Sequence, residues 1–476
     1  MKSGAKRKLV FLGLLLFCII ILVSPVYLRH LNSDDYLIGD KPYYYLRIAN
    51  YINETNAPIF ENINDNFSFE GREYSEEIGW PYLLSFNPVF LSFYLPIILG
   101  ILSFILFYLI LNRINYNLSI AGSLLFISSP SFIYLFTISN KYGISIFLSL
   151  LAVYLYINKK ELLSCLCIPL IGFFSLASSI FLLSIYLIYS IFKKEKLIYF
   201  YLSLILTFLA GYLQFGKLTG VSGLFFVNRG FSYFLQNLVS DFGGRFGIGI
   251  FMILLAFIGI FILWKDKYRF VLIYLLFMAL LSLSYFFDFI IFYLNILIVI
   301  LVGLAMISLY QMRWESDYIK GLIILILICG LLFSSVSFIN RLVGDEPRKE
   351  LNEGLFYLSR QPDDYVAFSH YTRGDWIAYA GKKNVMDSNF FNAPDLYGRF
   401  YDSDTLLHTQ DINTALEIVK KYNINYIFID KEMKSGLVWN DDNSELLFIL
   451  KNDKRFKKAF DNNYVEIWRV EDVFIS

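Results

Sequence analysis

The sequence has little of what builds most soluble catalytic and metal sites. It contains three histidines, His30, His370 and His408, too widely spaced for a His-Glu-x-x-His or related zinc pattern. Its four cysteines, Cys18, Cys165, Cys167 and Cys329, all fall inside apolar blocks, which argues against a disulfide framework or a thiolate metal site and for small packing residues. It has no glycine-rich phosphate loop, no nucleophile elbow, no Cys–His pair and no internal repeat. Charge is scarce as well: 17% of the residues are Asp, Glu, Lys or Arg, against about a quarter in an ordinary soluble domain. The formal net charge is +1 and no long basic run exists, so nucleic acid is not an expected partner.

What the sequence does have is apolar mass. Of its 476 residues 57% are hydrophobic, with 48 Phe and 36 Tyr. The excess lies in blocks of roughly 17–25 residues, the length that crosses a hydrocarbon core about 30 Å thick. The first runs from about residue 9 to 27 behind Lys2, Lys6, Arg7 and Lys8. It is longer than a signal peptide and lacks a small-x-small cleavage site, so it reads as an uncleaved span. Further spans are expected near 88–111, 118–137, 143–158, 161–175, 177–192, 198–215, 247–264, 269–285, 289–310 and 319–339. The split within 161–192 rests on Gly172, Ser175, Ser178 and Ser179. With the N-terminus cytoplasmic, Arg113, Lys159, Lys160, Lys193, Lys194, Lys196, Lys265, Lys267, Arg269, Arg313 and Lys320 all fall on the inner side. The expected protein is therefore a polytopic α-helical membrane protein of about eleven transmembrane helices. It would be a multi-pass protein of the cell membrane, bounded by membrane lipid.

That topology leaves three segments outside: a first loop over 29–87, a second over 216–246, and everything after Asn340. The transmembrane domain is expected over 1–340 and an extracellular domain over 341–476. In the latter, apolar runs at 364–369, 424–429 and 464–470 read as strands, and helical patterns at 347–359, 411–422 and 443–452 lie around them. This is the signature of a small soluble α/β domain. In the first loop Asp34, Asp35 and Asp40 precede a helix starting near Pro42. That helix carries Tyr44, Arg47, Ile48 and Tyr51 on overlapping faces and suits a membrane interface. Acids also cap helix starts, so the carboxylates alone do not define a site.

The stretch Gly39-Asp40-Lys41-Pro42-Tyr43-Tyr44-Tyr45-Leu46-Arg47 resembles the first-loop signature of the GT-C superfamily of glycosyltransferases, polytopic enzymes that use lipid-phosphate-linked sugars. Within it the likeness is to the catalytic subunits of archaeal oligosaccharyltransferases, whose loop reads Asp-Pro-Tyr-Tyr-His-Leu-Arg with a catalytic Asp. Asp40 is the nearest match, one place earlier because Lys41 intervenes. Gly79-Trp80-Pro81-Tyr82-Leu83-Leu84 resembles the family's approach to the second span. His370-Tyr371-Thr372-Arg373-Gly374-Asp375-Trp376-Ile377-Ala378-Tyr379 is similar to Trp-Trp-Asp-Tyr-Gly-x-Trp-Ile-x-Tyr. Thr372 stands where the family's sequon-binding Asp would be, so standard recognition of an asparagine sequon is not implied. Asn140-Lys141-Tyr142 stands where the family has an Asp-x-Glu-like motif, and Asp241 within Ser240-Asp241-Phe242-Gly243-Gly244-Arg245 stands near its late-loop acid.

The resemblance implies a donor, a polyprenyl-linked sugar, and an acceptor that is protein, glycan or lipid. It makes Asp40, Asp35 and Asp241 the candidate catalytic carboxylates. Arg47, Tyr44, Lys141, Arg245, His370 and Arg373 become candidate substrate-binding residues. The cofactor it implies is a divalent cation, Mg or Mn, held by Asp40 and Asp241, at a site weakened by the absence of acids at 140–142. Lys141 could instead offset phosphate charge directly. Gly243, Gly244 and Gly247 would let backbone approach a ligand. Two other readings stay open: a catalytically degenerate GT-C-like protein acting as a lipid-glycan-binding or accessory subunit, and a transporter or flippase. A transporter predicts charges converging at the midplane, a transferase polar groups at the outer mouth.

Overall fold

The computed structural model describes residues 2–34, 36–56, 63–74, 76–193, 198–215, 230–264, 271–388, 393–441 and 445–471. Within them each apolar segment named above carries a helix or, at 118–137, two. The helices are Lys2–Leu31, Pro88–Ile114, Tyr116–Ile127 with Pro130–Thr137, Lys141–Ile157, Glu161–Gly172, Leu176–Lys193, Ile198–Phe215, Ile250–Leu263, Val271–Ser284, Ile290–Gln311 and Asp317–Gly344. Among the described residues four helices are long and apolar enough to cross a membrane, or five if the bent pair is one span, and six apolar helices are shorter. Helix length and composition alone thus account for four or five of about eleven expected spans.

The chain divides into two units. The first comprises Met1–Asn32, Phe90–Gln214 and Phe225–Gly344, and is helical. Its bent pair shows how sequence breaks a helix inside an apolar bundle. Pro130 lacks an N–H and forces Ser129 out of helical geometry, to φ −74° and ψ 130°, and the chain turns by 63°. The polar groups this frees are satisfied by side chains from other helices. Ser335 Oγ donates to the Ser128 carbonyl, and Ser129 Oγ donates to Asn295 Oδ1 at 2.8 Å. The expected split of 161–192 falls at residues 173–175, between two helices, where Ser175 Oγ donates to Ser178 Oγ at 2.9 Å.

The second unit comprises Ser33–Val89, Phe215–Leu224 and Asp345–Ser476. Its strands are β1 (Asn64–Asp65), β2 (Arg72–Glu73), β3 (Val366–Phe368), β4 (Lys383–Asn384), β5 (Ile424–Asp430), β6 (Phe456–Asp461) and β7 (Val465–Val470). β1 and β2 form a small antiparallel pair, and the others a five-stranded sheet of order β4-β3-β5-β7-β6. β5 runs parallel to β3 and antiparallel to β7. β5 is buried at every position but Asn425, as a central strand covered on both faces must be. Its core gathers Phe368, Leu406, Val419, Ile427, Trp439 and Leu446. Helices Lys349–Ser359, Ile412–Lys421 and Glu445–Asn452 fall where the patterns place them. The second begins at Asp411, whose carboxylate accepts from Asn413 N at 3.1 Å and Thr414 N at 3.2 Å. Periodicity had not indicated the two-residue β4, the hairpin edge β6 or the helix Leu396–His408. β4 is too short to show a period, and β6 buries only Phe456 fully.

Part of the first long loop joins this sheet. Asn384 N donates to the Phe67 carbonyl at 2.8 Å and Phe69 N to the Asn384 carbonyl at 2.9 Å, adding residues 67–69 to the β4 edge.

Candidate active site

Helix Lys41–Thr55 starts abruptly, and its start places Asp40. Gly39 has φ +85°, a conformation that side-chain-bearing residues rarely adopt. Its peptide is held at both ends: Gly39 N donates to the Glu346 carbonyl at 2.7 Å, and Trp376 Nε1 donates to the Gly39 carbonyl at 3.1 Å. Pro42 then occupies the first turn, where a missing N–H costs nothing. Asp40 stands at the N-cap but its carboxylate makes no capping bond. Instead Oδ2 accepts from the Ser388 hydroxyl, and Ser388 Oγ lies 3.2 Å from Asp375 Oδ2. Asp375 opens the short helix Gly374–Tyr379. That helix sits hard against the next segment: a Cβ on Gly374 would lie 2.2 Å from the Met386 carbonyl, so only glycine admits the approach.

Behind these carboxylates runs a buried chain of ion pairs. Arg47 makes a bidentate pair with Asp65, its Nη2 2.7 Å from Oδ2. Arg72 donates Nε to the same Oδ2 at 3.2 Å. Its Nη1 and Nη2 reach Asp387 Oδ1 and Oδ2 at 3.0 and 2.7 Å. Tyr44 stacks on Tyr74 and lies under both guanidinium groups, 5.6 Å from Arg47 and 5.8 Å from Arg72. Burial would raise the Asp65 carboxyl, but the two guanidinium groups override it and hold the group well below the usual range. Asp375 goes the other way. Burial, then the neighbouring Asp387 and Asp40 charges, push its carboxyl well above the ordinary value.

The other expected residues take the following places. Tyr44, Arg47 and Ile48 are buried, so this face of the helix is packed in protein rather than laid on a membrane interface, and only Tyr51 is exposed. Arg373 is largely committed to protein: Nε meets Asp430 Oδ2 at 2.5 Å and Nη2 meets Glu432 Oε2 at 2.6 Å. His370 Nδ1 lies 2.8 Å from Thr372 Oγ1. Burial, then the Arg373 charge, lower its imidazolium to about 4, so it is neutral at pH 7. Asp35 lies outside the described residues. Asp65, Arg72, Asp375, Asp387 and Ser388 were not singled out by sequence pattern, because each owes its place to a partner distant along the chain.

In the first unit, Asn140 caps helix Lys141–Ile157, accepting from Tyr142 N and Gly143 N at 3.0 Å each. Lys141, in the first turn, is buried, with its ammonium 5.8 Å from the Tyr142 ring. Tyr142 stacks on Phe289 and meets Phe292, which in turn meets Phe246 beside Arg245. Asp241 Oδ2 accepts from Ile250 N at 2.6 Å and the carboxylate accepts from Ser334 Oγ at 2.9 Å, so it caps the following helix. Arg341 secures the loop, donating to the Ser240 and Gly244 carbonyls at 2.9 and 2.7 Å. A Cβ on Gly244 or Gly247 would lie 1.9 Å from the Gln236 carbonyl or 2.4 Å from Ser240 N. These glycines serve the loop's packing on its own backbone. Gly243 has φ +93°. Among the described residues no group of three His, Cys, Asp or Glu side chains could hold a metal ion.

No family model matches the chain, and no curated protein sequence matches it. Solved structures do. The apo oligosaccharyltransferase of Archaeoglobus fulgidus superposes with TM-score 0.64 at 14% identity, covering 89% of this chain and 70% of that one. The archaeal oligosaccharyltransferase AglB from the same organism, in complex with an inhibitory peptide and a dolichol-phosphate, gives 0.58 at 14%, covering 98% and 74%. ArnT from Cupriavidus metallidurans, bound to undecaprenyl phosphate, gives 0.54 at 9%, covering 98% of both chains. The chain thus has the fold of the GT-C glycosyltransferases, in a divergent sequence. With its apolar helices, it is a multi-pass membrane protein.

Proposed function

We propose that this protein is a membrane glycosyltransferase. It moves a sugar or glycan from a polyprenyl phosphate or pyrophosphate donor to an acceptor on the outer face of the membrane. The observation that carries the reading is the Asp40 carboxylate, held at a helix start by the Ser388 hydroxyl in a chain of GT-C fold. Lipid phosphates bound in two of the similar structures support the donor class. The reaction is an inverting displacement. The acceptor oxygen or nitrogen attacks the anomeric carbon, the bond to the donor phosphate breaks, and the acceptor proton passes to Asp40. The phosphate leaves with the electron pair. Departing charge must be met by cations. Arg47 is engaged by Asp65 and orders the helix that carries Asp40. The implied cation would bring Lewis-acid neutralisation of the same phosphate. In this reading the N-terminus is cytoplasmic, residues 1–340 form the transmembrane domain and residues 341–476 lie outside.

The test is transfer by purified protein in native lipid extract with radiolabelled polyprenyl-linked sugars, comparing wild type with Asp40→Asn. Loss of a general base slows transfer about 10²–10⁴-fold. Transfer unaffected by the substitution removes Asp40 from the mechanism. No transfer by wild type, with lipid-sugar binding intact, points to an accessory subunit instead.

A further inference from the structure

Both partners of the Asp40–Ser388 hydrogen bond are anchored to one small hairpin. On one side, Asp40 begins helix Lys41–Thr55, and Arg47 stands close to two turns further on, about 7.2 residues, so it lies on the same face. Arg47 makes a bidentate pair with Asp65 in β1. On the other side, Ser388 follows Asp387 in the chain, and both Asp387 oxygens accept from Arg72 in β2, at 3.0 and 2.7 Å. β1 and β2 pair antiparallel with Asp65 opposite Arg72, and Arg72 Nε donates to Asp65 Oδ2 at 3.2 Å. The bonds close a ring: from Asp40 along the helix to Arg47, across Asp65, Arg72 and Asp387 to Ser388, and back to Asp40. Backbone repeats the connection, since Asn384 exchanges hydrogen bonds with Phe67 and Phe69 at 2.8 and 2.9 Å, and its Nδ2 donates to the Gly374 carbonyl at 2.8 Å.

We propose that Asp65, Arg72 and Asp387 are positioning residues for the transfer reaction: the hairpin they span is a template that sets where the Ser388 hydroxyl meets the Asp40 carboxylate. None of the three needs to touch the reacting atoms. Asp387 and Arg72 act through Ser388, and Asp65 acts through both Arg72 and Arg47. The side chains of Asp65, Arg72 and Asp387 are each 1% exposed, so solvent does not compete for their bonds. Apolar residues of similar volume would hold a hairpin against a sheet at least as well, because buried ions lose their hydration. What the ion pairs add is fixed length and direction at both ends, and those ends are Asp40 and Ser388. A carboxylate that takes a proton in the transition state must be held to a fraction of an ångström, by groups that are themselves locked in place.

This inference rests on the transferase reading for its purpose but not for its existence, and two measurements separate them. The first is thermal unfolding of the full-length protein in detergent, as a double-mutant cycle of Asp40→Ala and Ser388→Ala. Because the two side chains bond each other, the double variant should unfold about 2–4 °C above the midpoint that the summed single losses give. Arg72→Lys keeps the charge but cannot hold Asp65 and Asp387 with one planar fork, so in that background the cycle should become additive. No coupling in the wild-type background, or the same coupling in both, overturns the proposal whether or not transfer is ever detected. The second measurement is the transfer assay above. Ser388→Ala and Arg72→Lys should each lower kcat about ten- to hundredfold with KM little changed, and together no further than the worse single variant. Ser388→Thr, which keeps the hydroxyl, should retain most of the wild-type rate. Losses that multiply would show that Arg72 does not act through Ser388, and would overturn the proposal. Absence of transfer by wild type counts against the transferase reading alone. Asp387→Glu keeps every charge and lengthens the connection by one methylene beside Ser388; it carries the same expectations in both measurements and replaces Arg72→Lys if that variant does not fold.

Discussion

Asp65→Asn is the sharpest test of the ion-pair chain behind Asp40. The change keeps the side-chain shape and removes one negative charge from between two buried guanidinium groups. Arg72 retains Asp387, to which it donates at 3.0 and 2.7 Å. Arg47 does not have that recourse in the chain of pairs just described, since both of its Nη atoms are spent on Asp65. Breaking a buried pair by removing one partner costs about 3–5 kcal/mol. For a unit near the size of the second one, each kcal/mol moves the midpoint by about 2–4 °C, so the unfolding of that unit should fall by roughly 6–20 °C. Thermal unfolding of the full chain in detergent, followed by protection of amides in 41–55 and 64–73, reads this directly. The pH dependence adds a second check. Asp65 has its carboxyl depressed in the folded state, so its contribution is present above the unfolded value of about 3.9 and is lost as pH falls toward the folded one. Wild type should therefore lose stability on acidification below about pH 4, and Asp65→Asn should lack that part of the slope. A midpoint within about 2 °C of wild type at neutral pH would refute the claim that Arg47 depends on Asp65.

Asp375→Asn should stabilise the protein at neutral pH: a carboxyl raised in the folded state takes up a proton on folding, so its contribution worsens as pH rises above about 4, and the gain should vanish below that pH in thermal unfolding. His370 is lowered to about 4 in the folded state, so stability should decline as pH falls from about 6.5, and His370→Gln should flatten that decline. Gly39→Ala should cost about 1–2 kcal/mol because its φ is +85°, and should lower transfer more than stability because Asp40 follows it directly; equal activity would separate the backbone turn from the site. Asp40→Asn, assayed as above, remains the direct test of the transfer reaction.

Much of the fold is written locally. Apolar block length marked the helices of the first unit, and short apolar runs marked β3, β5 and β7, because burial in lipid or in a sheet core selects residue type at every position along such a segment. The start of the helix after Asp40 was legible for the same reason, since Pro42 and Gly39 act on their own backbone. β6 and β4 left no such mark: one is an edge strand with only Phe456 buried, the other two residues long.

The chain by itself determined a helical membrane protein with an α/β segment and drew attention to Asp40. What Asp40 touches was decided only by tertiary structure. Ser388 lies 348 positions away and Asp387 lies 315 positions from Arg72, and no periodicity or spacing encodes a contact of that separation. The same holds for Arg47, which as a basic residue on a tyrosine-rich helix read as a candidate to meet phosphate. Its guanidinium is matched by Asp65 because a buried charge must find its counter-ion within the fold, and which one it finds depends on how the loop 64–73 is laid against the helix.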